Sequence, residues 1–342
     1  MGFPVIVCKK HSGERIMKKI TKITAALLVA VIPLVSFSCK HNNNNIEDNG
    51  KSEPVTIPED AVRNWTAGSK VKAWSVYGVE DLEKLAEAVN AGNDFAGKTI
   101  TVKNDIIINE KVLTKDFEEP AEGAEPGTPN PNLKNLESIG RGVSPEEDYE
   151  ACSFSGTFDG NGKVISGLYM YQGHQGLGFF GVVDGATIKN VILIDACVIN
   201  RNLIPNPDTS SNYPHDNKDD DRFGGLVGVV DGNGAGVTIE NCLFAGVVGS
   251  QTALDRGSPY EYIGGLIGRA DTDATVKDSF VFARIYGSRE DKTDVVCGKK
   301  PENVDRTNIN GEDDKGVEIK DFDEDVAKEI ADAVKAVQAK VK

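Results

Sequence analysis

The chain has 342 residues, with 38 Lys+Arg against 53 Asp+Glu and a formal net charge of −15. Such an acidic balance repels polyanions, so neither nucleic acid nor an anionic membrane surface is expected as a partner. Thirty-six glycines and 7% aromatics argue for many turns rather than a helical bundle, and six cysteines are too few for a disulfide framework. No CxxC or HExxH run is present, so no enzyme is expected from these motifs.

At the N-terminus, Met17 opens a basic patch (Lys18, Lys19, Lys22) followed by an apolar run over residues 23–35. The run falls short of the ~20 apolar residues that span a bilayer. It has the size of a secretory signal core, about 7–15 residues. Residues 1–38 are read as the signal region, with 1–16 as an upstream extension before the better start. The run ends Ser36-Phe37-Ser38-Cys39. This resembles a bacterial lipoprotein signal, in which the cysteine becomes the lipidated N-terminus. Ser38 fits that pattern; Ser36 departs from it, since an apolar residue is usual there. The resemblance implies lipidation at Cys39. Lys40, rather than Asp, after the cysteine favours the bacterial outer membrane, with the cell surface as the expected site. The membrane is then met through the lipid anchor only. Residues 39–60 hold four consecutive asparagines and little that can be buried, so they read as a tether. Leaving out residues 1–38 removes six bases (Lys9, Lys10, Arg15, Lys18, Lys19, Lys22) and one acid (Glu14), which takes the charge from −15 to −20.

Past the tether, residues 79–91 have helical apolar spacing and stop before Gly92, which predicts a capping helix. Residues 115–135 are rich in Pro, Glu and Gly and read as a mobile insertion. Three internal repeats then decide the fold. Gly178-Phe179-Phe180-Gly181, Gly225-Leu226-Val227-Gly228 and Gly265-Leu266-Ile267-Gly268 begin 47 and then 40 residues apart. Each leads to a second strip, Thr187-Ile188-Lys189-Asn190-Val191, Thr238-Ile239-Glu240-Asn241-Cys242 and Thr275-Val276-Lys277-Asp278-Ser279. Short β-branched strips repeated in register predict parallel coils, each burying its apolar face only against its neighbours. Ile188, Ile239 and Val276 then form one column, and Val191, Cys242 and Ser279 another. Asn190, Asn241 and Asp278 form a third, where amides can hydrogen-bond along the stack. Glycines are expected to supply positive φ at the corners. The expected fold is mainly β: a right-handed parallel β-helix, or solenoid, over 61–320, with short capping helices at both ends. The second cap is residues 321–342, where Phe322, Val326, Ile330, Val334, Val337 and Val341 make one apolar stripe.

The glycine-flanked segments Gly225-Leu226-Val227-Gly228 and Gly265-Leu266-Ile267-Gly268 resemble the GLUG repeat of bacterial surface and secreted proteins. The strip from Phe154 to Leu168 resembles the one that commonly precedes such repeats. The resemblance implies a β-solenoid and says almost nothing about activity.

Several residues are candidates for sites. Asp184, Asp231 and Asp271 line up at the ends of equivalent strands, a column that could hold Ca²⁺, or that simply turns each corner as Asx-turns. No other cofactor is expected. His174 and His215 have no partner at zinc-ligand spacing, and residues 216–221 read as a solvated charge run. Cys197 and Cys242 read as buried small hydrophobes; a Cys152–Cys297 bridge is left open. Insertions at 202–222 and 251–261 fall between successive coils, so they should emerge on one side of the stack. That side carries Tyr213, His215, Arg256, Tyr260 and Tyr262, a set suited to carbohydrate or protein contact. The leading expectation is a non-catalytic, lipid-anchored envelope protein that binds an extracellular glycan or protein ligand. A polysaccharide-degrading β-helix enzyme and a structural component assembling through its C-terminal helix are the alternatives.

Overall fold

A computed structural model describes residues 57–114, 129–142, 151–173, 176–200, 222–232, 236–249, 263–286, 294–299, 301–311 and 316–341. The signal region, Cys39 and most of the tether lie outside these residues.

The chain opens with β1 (Ala73–Val76), helix α1 (Val79–Asn90), β2 (Thr99–Val102) and β3 (Ile106–Ile107). The next circuit holds β4 (Thr157–Asp159), β5 (Val164–Ser166) and β6 (Tyr169–Gln172). Then follow β7 (Phe180–Val183), β8 (Thr187–Lys189) and β9 (Ile192–Asn200). The same order returns with β10 (Phe223–Gly224), β11 (Val227–Val230), β12 (Val237–Glu240) and β13 (Leu243–Val248). It returns again with β14 (Ile263–Gly264), β15 (Ile267–Ala270), β16 (Ala274–Lys277) and β17 (Phe280–Ile285). The last circuit has β18 (Cys297–Lys299), β19 (Val304–Thr307) and β20 (Val317–Glu318), before helix α2 (Glu324–Lys340).

Every strand pairing is parallel. Sheet I runs β1-β2-β4-β8-β12-β16-β19, sheet II runs β20-β17-β13-β9-β5-β3 with β6 also on β9, and sheet III runs β18-β15-β11-β7. The short pair β10–β14 stands beside sheet III. From β7 onward, successive circuits thus visit sheets III, I and II in the same order, and the fold is mainly β with two α-helices among the described residues. Period-2 alternation explains the interior. On sheet I, Ile100, Phe158, Ile188, Ile239 and Val276 are in register and fully buried, while the residues on either side of each are half-exposed. The expected inward column is therefore present.

At the corner between sheets I and II, Asn and Asp share the expected task of glycine, which Gly162 performs there at φ 64°. Asn161, Asn190, Asn241, Asp278 and Asn308 all take φ between 51° and 57°. Asn and Asp tolerate this left-handed region because their short side chains bond locally. The expected ladder also forms: Asn241 Nδ2 donates to Asn190 Oδ1 at 2.7 Å, and Asn190 Nδ2 to Asp159 Oδ1 at 2.9 Å. Glycine has a further task, in the repeated segments themselves. A Cβ on Gly228 would collide with the Gly181 carbonyl, and one on Gly268 with the Gly228 carbonyl. The repeat is glycine-rich because β10 and β14 cross sheet III at backbone contact.

Helix α1 buries Leu82, Leu85, Ala86 and Val89 in the main core with Trp65, Trp74 and Phe95, next to β1, the edge strand of sheet I. Helix α2 is not at the other end of the stack. Ile330, Ala333, Val334 and Val337 pack on Val164, Ile192, Ile194, Leu243, Ala245 and Val247, the outer face of sheet II. The expectation of a C-terminal end cap is corrected: sheet II is apolar on both faces, so its outer side attracts the stripe. Residues 115–135 are likewise not wholly a mobile insertion. Leu133 is buried, the Asn130 amide donates to Tyr169 Oη, and Asn135 exchanges hydrogen bonds with the Tyr171 backbone.

Candidate binding surfaces

Helix α2 and a loop cover much of the outer face of sheet II. Beyond α2, the outer face of β6 and β9 is covered by Val112, Leu113 and Leu133 over Tyr169, Tyr171, Cys197 and Ile199. A bulge anchors that cover. The β9–β13 register slips between Ala245 and Gly246, leaving Asp195 as the extra residue, at φ 52°. Its carboxylate accepts the Val112 and Leu113 amides at 2.8 and 2.9 Å.

Two surfaces remain. The first is the edge where chain is inserted. Strands β13 and β17 end in register at Val248 and Ile285, beside Val198 of β9, which runs two residues further to Asn200. The Gly249 amide donates to the Val198 carbonyl, and Tyr286 to Val248, so the departing chain stays stacked one residue further. The returns are stacked as well: Leu177 bridges to Phe223, which pairs with Ile263. The insertions after β9, β13 and β17 therefore leave at equivalent points, as the repeat spacing predicts. Tyr213, His215, Arg256, Tyr260 and Tyr262 all fall on them, outside the described residues; so do His174 and residues 216–221.

The second surface is the outer face of sheet I, which sequence reasoning missed. Thr99, Thr157, Thr187, Thr238 and Thr275 form one uninterrupted column, continued by Asp305. The neighbouring column reads Thr101, Asp159, Lys189, Glu240, Lys277 and Thr307. Lys189 pairs with Asp159 at 3.2 Å and Lys277 with Glu240 at 3.1 Å. The signal was available: each second strip opens on Thr and carries a charge two residues later, a period that puts both on the solvent side of a strand.

The aspartate column is in register, since the Asp231 amide donates to the Val183 carbonyl and the Asp271 amide to Val230. Its carboxylates do local work. Asp231 Oδ1 accepts the Gly232 amide at 2.7 Å, and Asp271 Oδ1 accepts Arg269 Nε at 2.6 Å. Among the described residues no group of three or more His, Cys, Asp or Glu could hold a metal ion. Asp231 is thus engaged in a corner turn and Asp271 in an ion pair. Cys152 and Cys297 are both free thiols, so the bridge left open is not made. Burial pushes the thiols of Cys242 and Cys297 up to about 12, which keeps them protonated and unreactive.

Polar groups concentrate where the circuits are tied together. Asp81 is fully buried; that burial works against its charge, but Arg63 and the Tyr77 and Arg63 amides hold its carboxyl below the usual range. Arg63 Nε lies 2.8 Å from Asp81 Oδ1 and Nη2 2.9 Å from Oδ2, a two-pronged clamp from the chain entry onto α1. On the far side, the Asn308 amide and then Lys340 lower the carboxyl of Asp278, which lies 3.0 Å from Lys340 Nζ. No helix among the described residues is long and apolar enough to cross a membrane. No family model matches the chain, and no curated protein or solved structure resembles it significantly.

Proposed function

We propose that this chain is a non-catalytic, lipid-anchored protein of the bacterial outer membrane, a surface solenoid that holds binding loops for an extracellular glycan or protein ligand. The fold in this reading is a right-handed parallel β-solenoid of GLUG-like repeats. Circuits that visit three parallel sheets in constant order support it, and parallel crossovers are right-handed in nearly all proteins. The observation that carries the binding role is the stacked departure of three insertions along one edge. Loops displayed by a rigid scaffold are where recognition concentrates. The tyrosines at 213, 260 and 262, with His215 and Arg256, supply aromatic faces for sugar rings and donors for hydroxyls or carboxylates.

A glycan array tests this. Selective binding by the chain that is lost in the triple variant Tyr213→Ala/Tyr260→Ala/Tyr262→Ala supports the inserted edge; binding unchanged in that variant overturns it. For the anchor, cells fed a fatty-acid label should modify the wild-type chain and leave Cys39→Ala unlabelled. Equal labelling of both chains would remove Cys39 as the lipid site.

A further inference from the structure

The charges on the outer face of sheet I follow an order with a symmetry of its own. They alternate along the stack: Asp159, Lys189, Glu240, Lys277. Within one chain they form two pairs, Asp159–Lys189 and Glu240–Lys277. The midpoint of the series lies between β8 and β12, and reflection of strand order about it exchanges β8 with β12, β4 with β16 and β2 with β19. Each charge is thereby exchanged for its opposite.

We infer that this face is a contact between two copies of the chain, packed face to face with their stacks antiparallel. The two-fold axis lies in the plane of the face and parallel to the strands, between β8 and β12. A rotation about that axis keeps position along the strand and reverses order along the stack. Asp159 then faces Lys277 of the second copy, and Lys189 faces its Glu240. Each pair within a chain meets a pair of opposite polarity, so four charges alternate around a square. In the other column Thr187 faces Thr238, Thr157 faces Thr275, and Thr99 faces Asp305. Thr101 faces Thr307. No like charges meet, and every remaining facing pair joins a hydroxyl to a hydroxyl or a carboxylate. A two-fold axis along the stack would instead reverse position along the strand and, where it runs through the charged column, put Lys on Lys and Asp on Asp, which like-charge repulsion disfavours. Isologous two-fold contacts are the commonest form of self-association.

The face sets the strength of the contact. With strands ~4.8 Å apart and ~3.3 Å per residue, the six exchanged strands offer on the order of 300 Å² per copy. Stable interfaces use about 800 Å² per partner. The pair is therefore weak, reversible and sensitive to salt, since its polar contacts are screened over about 8–10 Å in ordinary buffer.

Cysteine cross-linking in the full chain tests the contact and its direction together. Thr157→Cys and Thr275→Cys chains carrying different tags are mixed and oxidised. The antiparallel contact brings positions 157 and 275 of different copies together, whereas two copies of position 157 stay about 14 Å apart, three strand spacings. The expected result is a mixed 157–275 disulfide, identified by mass spectrometry, at least tenfold more abundant than the 157–157 product. A second arm replaces all four charges: Asp159→Lys, Lys189→Glu, Glu240→Lys and Lys277→Asp. That chain keeps both internal pairs, and an unchanged far-UV spectrum verifies its fold. Charge-swapped chains should cross-link with one another but not with wild-type-charge chains. Random or 157–157 linkage overturns the proposal, as does a swapped chain that links equally well to both kinds.

Discussion

Single residues in this chain are chosen for the corner they turn as much as for the contacts they make. Asn241 shows both demands: φ of 51°, an amide bond to Asn190, and a second from Nδ2 to the Val337 carbonyl at 3.1 Å. The two can be separated. Asn241→Gly keeps the conformation and loses the hydrogen bonds, for about 0.5–1.5 kcal/mol each. Asn241→Ala adds the cost of placing an alanine in the left-handed region, about 1–2 kcal/mol. Urea denaturation should rank the wild-type chain first, Asn241→Gly second and Asn241→Ala third; reversal of the two variants would show that the corner is not strained. Asp81 makes a prediction in pH. Its folded carboxyl sits below its unfolded value, so the stabilisation it provides is complete above pH ~4 and is lost as pH falls through the depressed value. Asp81→Asn should cost about 1.5–3 kcal/mol near neutrality, the range for hydrogen bonds to a charged group. Melting midpoints of the two chains measured from pH 6 to pH 2 should converge at the acid end; a constant gap would show that the charge is not what matters.

At the scale of elements, the repeats made sheets I and III legible and left much of the rest unread. Columns such as Ile188, Ile239 and Val276 follow from equal spacing, because a stack in register needs no other information. Strands β1 to β3 lie before the first recognisable repeat, so no column of equivalent residues places them in the stack. Helix α2 was legible as an amphipathic helix and not in its position, since an apolar stripe specifies burial and not the surface that provides it. The surface was itself encoded: Ile192-Leu193-Ile194 and Leu243-Phe244-Ala245 are apolar at every position, the mark of a strand covered on both faces. Ile330→Ala should cost about 2–4 kcal/mol by melting, as for other large-to-small changes in a core. Val334→Asp should release the helix and raise fluorescence of a hydrophobic dye on the outer face of sheet II. Equal dye binding by wild type and variant would contradict that packing. The glycines give a sharper contrast. Gly264→Ala meets the Ile267 carbonyl and should leave little soluble chain, while Gly232→Ala has nothing nearer than 3.5 Å and should melt with wild type.

For the whole molecule the arrangement of α2 changes how the stack should come apart. Circuits that touch only their neighbours unfold from whichever end is weaker, and intermediates with some circuits intact become populated. The end bearing β18, β19 and β20 has sheet edges with no further strand among the described residues, whereas β1 is backed by α1 and the bridge from Ala61 to Ser75. Helix α2 follows that weaker end in sequence yet reaches back across the stack. Gln338 bonds the Gly162 carbonyl, Val337 receives Asn241, and Lys340 pairs with Asp278, three contacts spread over separate circuits. Loss of the last circuits therefore dislodges contacts on the earlier ones, and the stack behaves as one unit. The two tryptophans provide a local probe, since Trp65 and Trp74 are both packed with α1 near β1, while far-UV circular dichroism sums over every strand. In urea the two signals should change together in the wild-type chain, as a two-state transition requires. In Val334→Asp, with the strap released, the dichroism should fall at lower urea than the tryptophan signal, because β17 to β20 fray while the α1 end holds. Coincident transitions in that variant would show that the sheets alone couple the circuits, and that α2 only covers sheet II.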